Sequence, residues 1–504
     1  ATIAALAEIA DDQSETILWE ALDDVKTVPK STIWDAILQC AESRRLEGNS
    51  LEAKRICEKI FETSDSEIIR IAALRGMVLS DPSNGGSLLL RTLETGETPL
   101  QEAAIGLINK TDPMLTASAI LLIFQTLQTR QQSQMLDMLA ETGNKAYLAV
   151  ARQGLGSQFH IVRMAALRSL RALGDVSMVQ PLAIVAAIGP RVEKLEAQTT
   201  LARMSGEGVE REIIDLIAKA ERDVRAVMIE AAAERNLYRA VPALLQAAKD
   251  SLNYIRVTSI KALAELARPQ DLPAMTEILL ASQSASETTH AVDALSKTAM
   301  RIDNPAERSN AILTTYAGSG DAEDKIAVLR VLGNIGDPAS LSFIKAALDD
   351  TNEDVQIAAV RALSEWPNAE VLEILYNIAR NTKQKRQQTL ALRGYIDLIR
   401  RDQSSPASEK VKQLEEAFDL STRSQEDRMI LSALAELDTL QAMKIALNHF
   451  TDPDVKNEAA MAVVQLAEKL QSDYPDQVES ACRQILTHID HKDIRKAAAD
   501  LVEN

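Results

Sequence analysis

Ile326-Ala-Val-Leu-Arg-Val-Leu332 and Ile357-Ala-Ala-Val-Arg-Ala-Leu363 are two versions of one phrase, about 31 residues apart. Behind each lies a turn, Gly336-Asp-Pro338 in one copy and Pro367-Asn368 in the other. A second apolar run follows the turn: Leu341, Ile344, Leu348 and, in step with it, Leu372, Leu375, Ala379. Apolar residues three and four apart form one stripe on a helix. Helix, tight turn, helix at a fixed period of roughly 20–50 residues marks a solenoid, whose units bury their stripes only against one another. The stretch from Ile326 to Asn381 therefore predicts an all-α chain built of stacked helical pairs.

Outward from it, the phrase returns as Ile71-Ala-Ala-Leu-Arg-Gly-Met77, Met164-Ala-Ala-Leu-Arg-Ser-Leu170 and Val257-Thr-Ser-Ile-Lys-Ala-Leu263. These starts are evenly spaced, as a regular array requires. Weaker copies at Ala103 to Ile108, Met135 to Leu139, Leu195 to Met204 and Val224 to Ala233 fill the gaps, and Leu390 to Tyr395, Leu431 to Leu437 and Ala459 to Leu466 continue the series. Between Val257 and Ile326 the spacing is too long, which places an insertion at Ser282 to Glu287 or at Asn304 to Glu307. A second break, Arg400 to Ser408, precedes a helix expected from about Ser408 to Leu420. Residues 1–30 read as one helical pair turned at Asp11-Asp12. Residues 31–63 read as a longer hairpin with Ser31 as N-cap and Gly48-Asn-Ser50 as the turn. The last helix starts at Asp493 and has no partner within the sequence, and the first residue is Ala rather than Met, so a processed or trimmed chain that continues beyond these ends is expected.

The predicted architecture is a single continuous α-solenoid over 1–504, with about 14–15 helical pairs. Its parts are N-terminal pairs over 1–63, repeats over 64–283, repeats with longer loops over 284–420, and C-terminal repeats with a terminal helix over 421–504. Composition agrees. Hydrophobic residues make up 46% but aromatics only 3%, and Ala and Leu, the strongest helix formers, dominate the apolar set.

By these residues the units resemble HEAT repeats of the short bacterial, lyase-like type. The carrying motifs are Asp223-Val-Arg225, Asp454-Val-Lys456 and Asp493-Ile-Arg495 at first-helix starts, with Gly174-Asp175 and Gly336-Asp-Pro338 between helices. The hairpin Ala41…Gly48…Ala53…Ile60 is similar to a tetratricopeptide hairpin. The resemblance covers nearly the whole chain and implies a HEAT-type superhelix of the kind found in large exported bacterial proteins, some of which carry a sugar-active or redox domain. Physically, the Asp of the motif suits a cap on the positive end of the helix, and the Arg or Lys two residues later is expected to reach an Asp of the neighbouring unit. Arg75, Arg168, Arg330, Arg361 and Arg393 are expected to ion-pair between units over buried alkyl stems.

Chemistry is hard to find in the sequence. Among the five His, only His488-Ile-Asp-His491 clusters, on a turn where polar residues belong. The His-Glu dipeptides of HEAT-like hydroxylases do not occur, nor does a Gly-x-Ser-x-Gly elbow. Gly154-Leu-Gly156 follows no strand, which argues against a phosphate loop. Cys40, Cys57 and Cys482 read as small core residues. A net charge of -18 is a poor match to nucleic-acid phosphate, and the basic run Lys383-Gln-Lys385-Arg386 reads as a solvated turn. Trp19, Trp34 and Trp366 are far apart in the chain, with Trp366 placed to pack under the turn at Pro367. The longest apolar stretch, Leu115 to Leu127, is short of the ~20 residues that span a bilayer.

The expectation is thus a non-catalytic scaffold with no catalytic, cofactor or metal residues. It would bind a protein or peptide partner on a concave surface of second helices such as Val241–Lys249, Leu272–Leu280 and Ser340–Leu348, with no nucleic acid and no direct membrane insertion. The alternative is the accessory region of a larger exported bacterial enzyme. The compartment reads as exported or periplasmic, with cytoplasmic as the alternative.

Overall fold

The computed structural model describes residues 2–24, 28–317 and 321–503. Among these residues there are thirty-one α-helices and no strand. The chain divides into two compact units, Ala1–Ala247 and Ala248–Asn504. The first runs through α1 (Thr2–Ile9), α2 (Asp12–Asp24), α3 (Lys30–Leu46), α4 (Ser50–Thr63), α5 (Glu67–Ser80), α6 (Pro82–Thr95), α7 (Thr98–Leu107), α8 (Pro113–Ile123), α9 (Thr129–Thr142), α10 (Leu148–Leu155), α11 (His160–Leu173), α12 (Val179–Ile188), α13 (Arg191–Arg203), α14 (Val209–Lys219), α15 (Arg222–Glu234) and α16 (Val241–Ala247). The second runs through α17 (Asn253–Leu266), α18 (Leu272–Leu280), α19 (Ala285–Ala299), α20 (Asn310–Tyr316), α21 (Ala322–Ile335), α22 (Leu341–Leu348), α23 (Glu353–Ser364), α24 (Leu372–Asn381), α25 (Lys385–Arg401), α26 (Ala407–Leu420), α27 (Ser424–Ala435), α28 (Leu440–Asn448), α29 (Lys456–Leu470), α30 (Pro475–His488) and α31 (Lys492–Glu503). No helix among the described residues is long and apolar enough to cross a membrane.

Odd-numbered helices are the first members of pairs and even-numbered helices the second. Within each unit the first helices lie side by side, as α9 on α11 or α21 on α23, and second helices pack on the first helix that follows, as α12 on α13 or α24 on α25. This is solenoid packing, and it explains the two kinds of sequence. A first helix is covered on several sides, so α23 buries Val355, Ile357, Ala358, Ala359, Val360, Ala362 and Leu363. A second helix buries one stripe, and α24 buries Leu372, Leu375 and Ala379, the residues that the spacing predicts. Where first helices approach most closely the side chains shrink: a Cβ on Gly333 would lie 2.7 Å from the Ala362 Cα.

Five of the turns inside the pairs share one chemistry. The side chains of Asn144, Asp175, Asn304, Asp337 and Asn368 each accept a hydrogen bond from the main-chain N–H two residues on. Each thereby starts a single 3-10 turn that delivers the chain into the second helix, the satisfied-donor logic of an N-cap. Gly336 takes φ 61° at the end of α21, which lets the chain reverse beneath Pro367.

Several local expectations are corrected. The helix α3 begins at Lys30 after Pro29, so Ser31 sits in its first turn and is not the cap. Asp223 and Asp493 likewise lie inside first turns, where their charge faces the positive helix end without capping it. Two of the motif arginines reach main-chain oxygens: Arg225 Nε donates to the Ile217 carbonyl at 2.9 Å, and Arg495 donates to the carbonyl oxygens of Leu486 and Ile489. They close the C-terminal end of the preceding second helix, where carbonyls lack partners. The long interval falls between the starts of α19 and α21, Ala285 and Ala322, around the short α20; of the two expected insertion points, Asn304 to Glu307 is the one used. The helix after the second break is α26, while the preceding α25 runs on to Arg401.

Candidate functional site

The two tryptophans of the N-terminal pairs meet. Trp19 on α2 and Trp34 on α3 stand edge to face, ring centroids 5.7 Å apart and planes at 85°. The sequence gives no hint of this, because fifteen residues and a helix reversal separate them. The reversal brings the outer face of α2 against the start of α3, and both rings then border one groove.

The groove has a volume of about 740 Å³ and runs across α2 to α5. Leu22 and Ile69 are its buried apolar walls, resting on the core of Leu18, Ile33, Ile37, Ile56 and Ile60. Ile68 stands at the rim with 77% of its surface exposed. Lys59 Nζ lies 4.0 Å from the centroid of the Trp19 ring, a cation held on the π face. Asp23, Asp35 and Asp65 line the same groove, and none of them pairs with a described cation within 4 Å.

A buried network holds Trp19 in place. Its Nε1–H donates to Glu15 Oε1 at 3.3 Å, one turn back. Glu15, 6% exposed, also accepts from Arg55 Nη2 at 2.8 Å and lies 3.5 Å from Arg44 Nη2. Arg44 in turn donates from Nε to the Ala10 carbonyl at 3.0 Å and pairs with Asp12 at 2.8 Å. One carboxylate and two guanidiniums thus lock α2 to the α3–α4 hairpin, so the indoles are presented by rigid elements. Fixed aromatic surface beside Asp23, Asp35 and Asp65 suits an apolar side chain followed by a basic one.

The other residues singled out in the sequence lie as follows. Cys40, Cys57 and Cys482 are free and buried, and burial raises the Cys57 thiol to about 12. Trp366 is fully buried. His488 is exposed and its Nδ1 contacts the Gln484 carbonyl at 3.0 Å. Lys383, Lys385 and Arg386 are exposed, with Arg386 3.9 Å from Asp354. Of the repeated arginines, Arg168 meets Asp137 at 3.4 Å and Arg393 meets Glu426 at 2.7 Å, one unit away in each case. Arg330 and Arg361 pair with no described carboxylate, so the expected ladder is interrupted there. The strongest ladder is one turn nearer the helix starts: Arg163 with Glu193 at 2.6 Å and Arg256 with Glu287 at 2.6 Å, the second pair almost fully buried.

Residues 210–296 and 309–393 match the family described as HEAT repeats. No curated protein matches the chain. Among solved structures it is similar to Kap121p bound to Pho4p, with 12% identity and a TM-score of 0.41 over 99% of this chain and 53% of that one. It is also similar to a chain of a homology model of the full-length AP-3 complex, with 12% identity and a TM-score of 0.49 over 97% and 92%. A third is Kap95p with RanGDP, with 12% identity and a TM-score of 0.43 over 100% and 72%. The chain spans about half the length of the Kap121p chain.

Proposed function

We propose that this chain is a non-catalytic scaffold that holds a protein partner. The exposed faces of second helices such as α16, α18 and α22 supply broad contact, and the Trp19–Trp34 groove takes one extended segment of the partner. The observation that carries this reading is the groove itself. Two of the three tryptophans in a chain with 3% aromatic residues border one opening, which Lys30, Lys59 and three carboxylates with no described cation within 4 Å also line. Tryptophan contributes much contact area at little entropic cost, which is why it concentrates where partners bind. The net charge of -18 favours a basic partner and speeds its approach.

Photo-crosslinking tests the proposal. A photoreactive side chain at Ile68, on the groove rim, is expected to capture a partner from the source cell through a segment rich in Lys or Arg and apolar residues. The same group at Leu280, on a second helix, is expected to capture the same protein. Crosslinks confined to the loop edges at Gln283 and Asn352 would overturn the assignment.

A further inference from the structure

The second helices of the first unit carry an apolar patch that the later second helices do not repeat. We propose that α8, α10 and α12 form a docking face for one amphipathic helix of a protein partner, whose apolar stripe carries a single carboxylate. This rests on the scaffold reading and deepens it, with residues outside the Trp19–Trp34 groove.

One position recurs about every 31 residues along the second helices from α6 to α16: Arg91, Leu122, Gln153, Ile184, Asp215 and Gln246. It is apolar only on α8 and α12. There it lies open, with Leu122 80% and Ile184 43% exposed. Met114 and Leu115 extend the exposed stripe along α8, and Ile188 extends it along α12. Among the described residues, no other second helix from α6 onward exposes a large apolar side chain. Charge resumes on either side, with Arg91 and Glu94 on α6 and Glu210 and Asp215 on α14. An apolar surface rimmed by polar groups marks a place where another molecule docks.

Charge and shape set the occupant. α8 and α12 have no charged residue, and α10 between them has one, Arg152. Arg152 is exposed and has no ionic partner among the described residues. Asp112 and Asp175, at the leading ends of the face, are engaged as caps by the N–H groups of Met114 and Ser177. The face therefore asks for apolar contact and one anion. An anionic bilayer would repel a chain of net charge -18. A second copy docked face to face about α10 would set Arg152 against Arg152. A helix with an apolar stripe and one glutamate meets both demands. The relief suits it too, because α10 exposes the small Ala149 between the larger side chains of its neighbours. α8 packs on α10. Packed helices stand about 8–10 Å apart, so the two stripes lie roughly two such steps apart, room for one helix of ~10 Å diameter.

The test uses the full chain and three fluorescein-labelled peptides stapled as helices. The first has leucines at i, i+3, i+4 and i+7 and one glutamate beside them. The second has lysine for that glutamate. The third has the composition of the first with its leucines spread around the helix. Fluorescence anisotropy is expected to show the first binding about tenfold more tightly than either of the others. Leu122→Ser with Ile184→Ser should weaken it about tenfold, and Arg152→Gln should erase the preference for glutamate over lysine. These positions are exposed, and circular dichroism with the melting temperature reports whether the variants remain folded. Trp34→Ala should leave this binding unchanged. If the first peptide fails to bind while a partner still crosslinks at Ile68, this inference falls and the scaffold reading stands. Equal binding of the three peptides, or undiminished binding by the folded double serine variant, would overturn the proposal. So would dimerisation of the chain alone, or its co-sedimentation with phosphatidylcholine vesicles, where that variant abolishes it.

Discussion

Arg235, just past the end of α15, donates from Nη1 to the main-chain oxygen of Leu201 at 2.7 Å, near the end of α13. The same nitrogen meets the carbonyls of Ala202 at 3.2 Å and Met204 at 2.8 Å. The contact repeats in the second unit: Arg301 Nη2 donates to the Ala264 and Glu265 carbonyls at 2.9 Å, and Lys469 Nζ to Ala435 and Glu436 at 3.3 Å. A cation from one first helix thus closes the negative end of the first helix before it, fixing the register of neighbouring pairs. Arg235→Met keeps the alkyl stem and removes the donors. It is expected to lower stability by about 1–3 kcal/mol, measured by urea unfolding, whereas Arg239→Met, at an exposed site nearby, should change it by less than about 0.5 kcal/mol.

Among the described residues, Glu287 and Arg256 form the most deeply buried ion pair, 2% and 7% exposed. Burial pushes the Glu287 carboxyl up, but the Arg256 guanidinium, the Gln283 N–H and Asn253 together hold it below its ordinary 4.5. Glu287→Ala leaves a buried guanidinium without its charge partner and should cost about 3–5 kcal/mol.

Acid should act through the same pairs. Glu193, held down chiefly by its hydrogen bond to Arg163 and also by His160, shifts in the same direction as Glu287. A carboxylate whose folded-state value is depressed contributes stability that is complete above its unfolded value, here about 4.5, and is lost as pH falls through the folded value. The melting temperature is therefore expected to hold from neutral pH down to about 5 and to drop steeply below 4.5. A flat profile down to pH 3 would show that these pairs do not carry the stability assigned to them.

The helical pairs were legible because a buried stripe leaves a period of 3.6 in the residue types, and the turn leaves Gly, Asp and Pro at fixed places. Ile357 to Leu363 and Leu372 to Ala379 can be assigned from that period alone. Partners across units are a different matter. Arg225 and Arg256 look alike in sequence, yet Arg225 Nε turns back to the Ile217 carbonyl in the preceding helix, while Arg256 bonds the Asp250 and Ser251 carbonyls of the loop and Glu287 one unit ahead. The choice depends on helix offset, which no local pattern encodes. The Trp19–Trp34 groove was hidden for the same reason: its residues come from four helices and share no spacing.

Close packing of first helices makes opposite predictions for two glycines. A methyl group on Gly333 would lie 2.7 Å from the Ala362 Cα and 2.9 Å from its carbonyl oxygen, main-chain atoms that cannot step aside. Gly333→Ala should destabilise the protein by about 1–3 kcal/mol. Gly106, inside α7, has open space at the same position. There Gly106→Ala removes unfolded-state freedom and favours the helix, so a gain of about 0.5–1 kcal/mol is expected. Urea unfolding of the two single variants compares them directly, and equal signs would refute the packing argument.

The tryptophans provide a direct readout of the proposed groove. Trp366 is fully buried in the second unit and gives a constant background, while Trp19 and Trp34 are half-buried at the groove. A short peptide carrying lysine and leucine should change the emission as it displaces water from the two rings and brings its cation to Asp23, Asp35 or Asp65. The same peptide with glutamate for lysine should have little effect. Trp34→Ala removes one wall and is expected to weaken the lysine peptide about tenfold, since a stacked or packed indole is worth on the order of 1–2 kcal/mol at such sites. Asp35→Asn with Asp65→Asn keeps the shape and lowers the charge; it should weaken binding and flatten its salt dependence. The melting temperature separates these outcomes from unfolding, because Trp34 is edge-on to Trp19 and part of the local packing. If both variants stay folded and bind the lysine peptide as the parent does, the groove is a packing feature and the partner docks elsewhere.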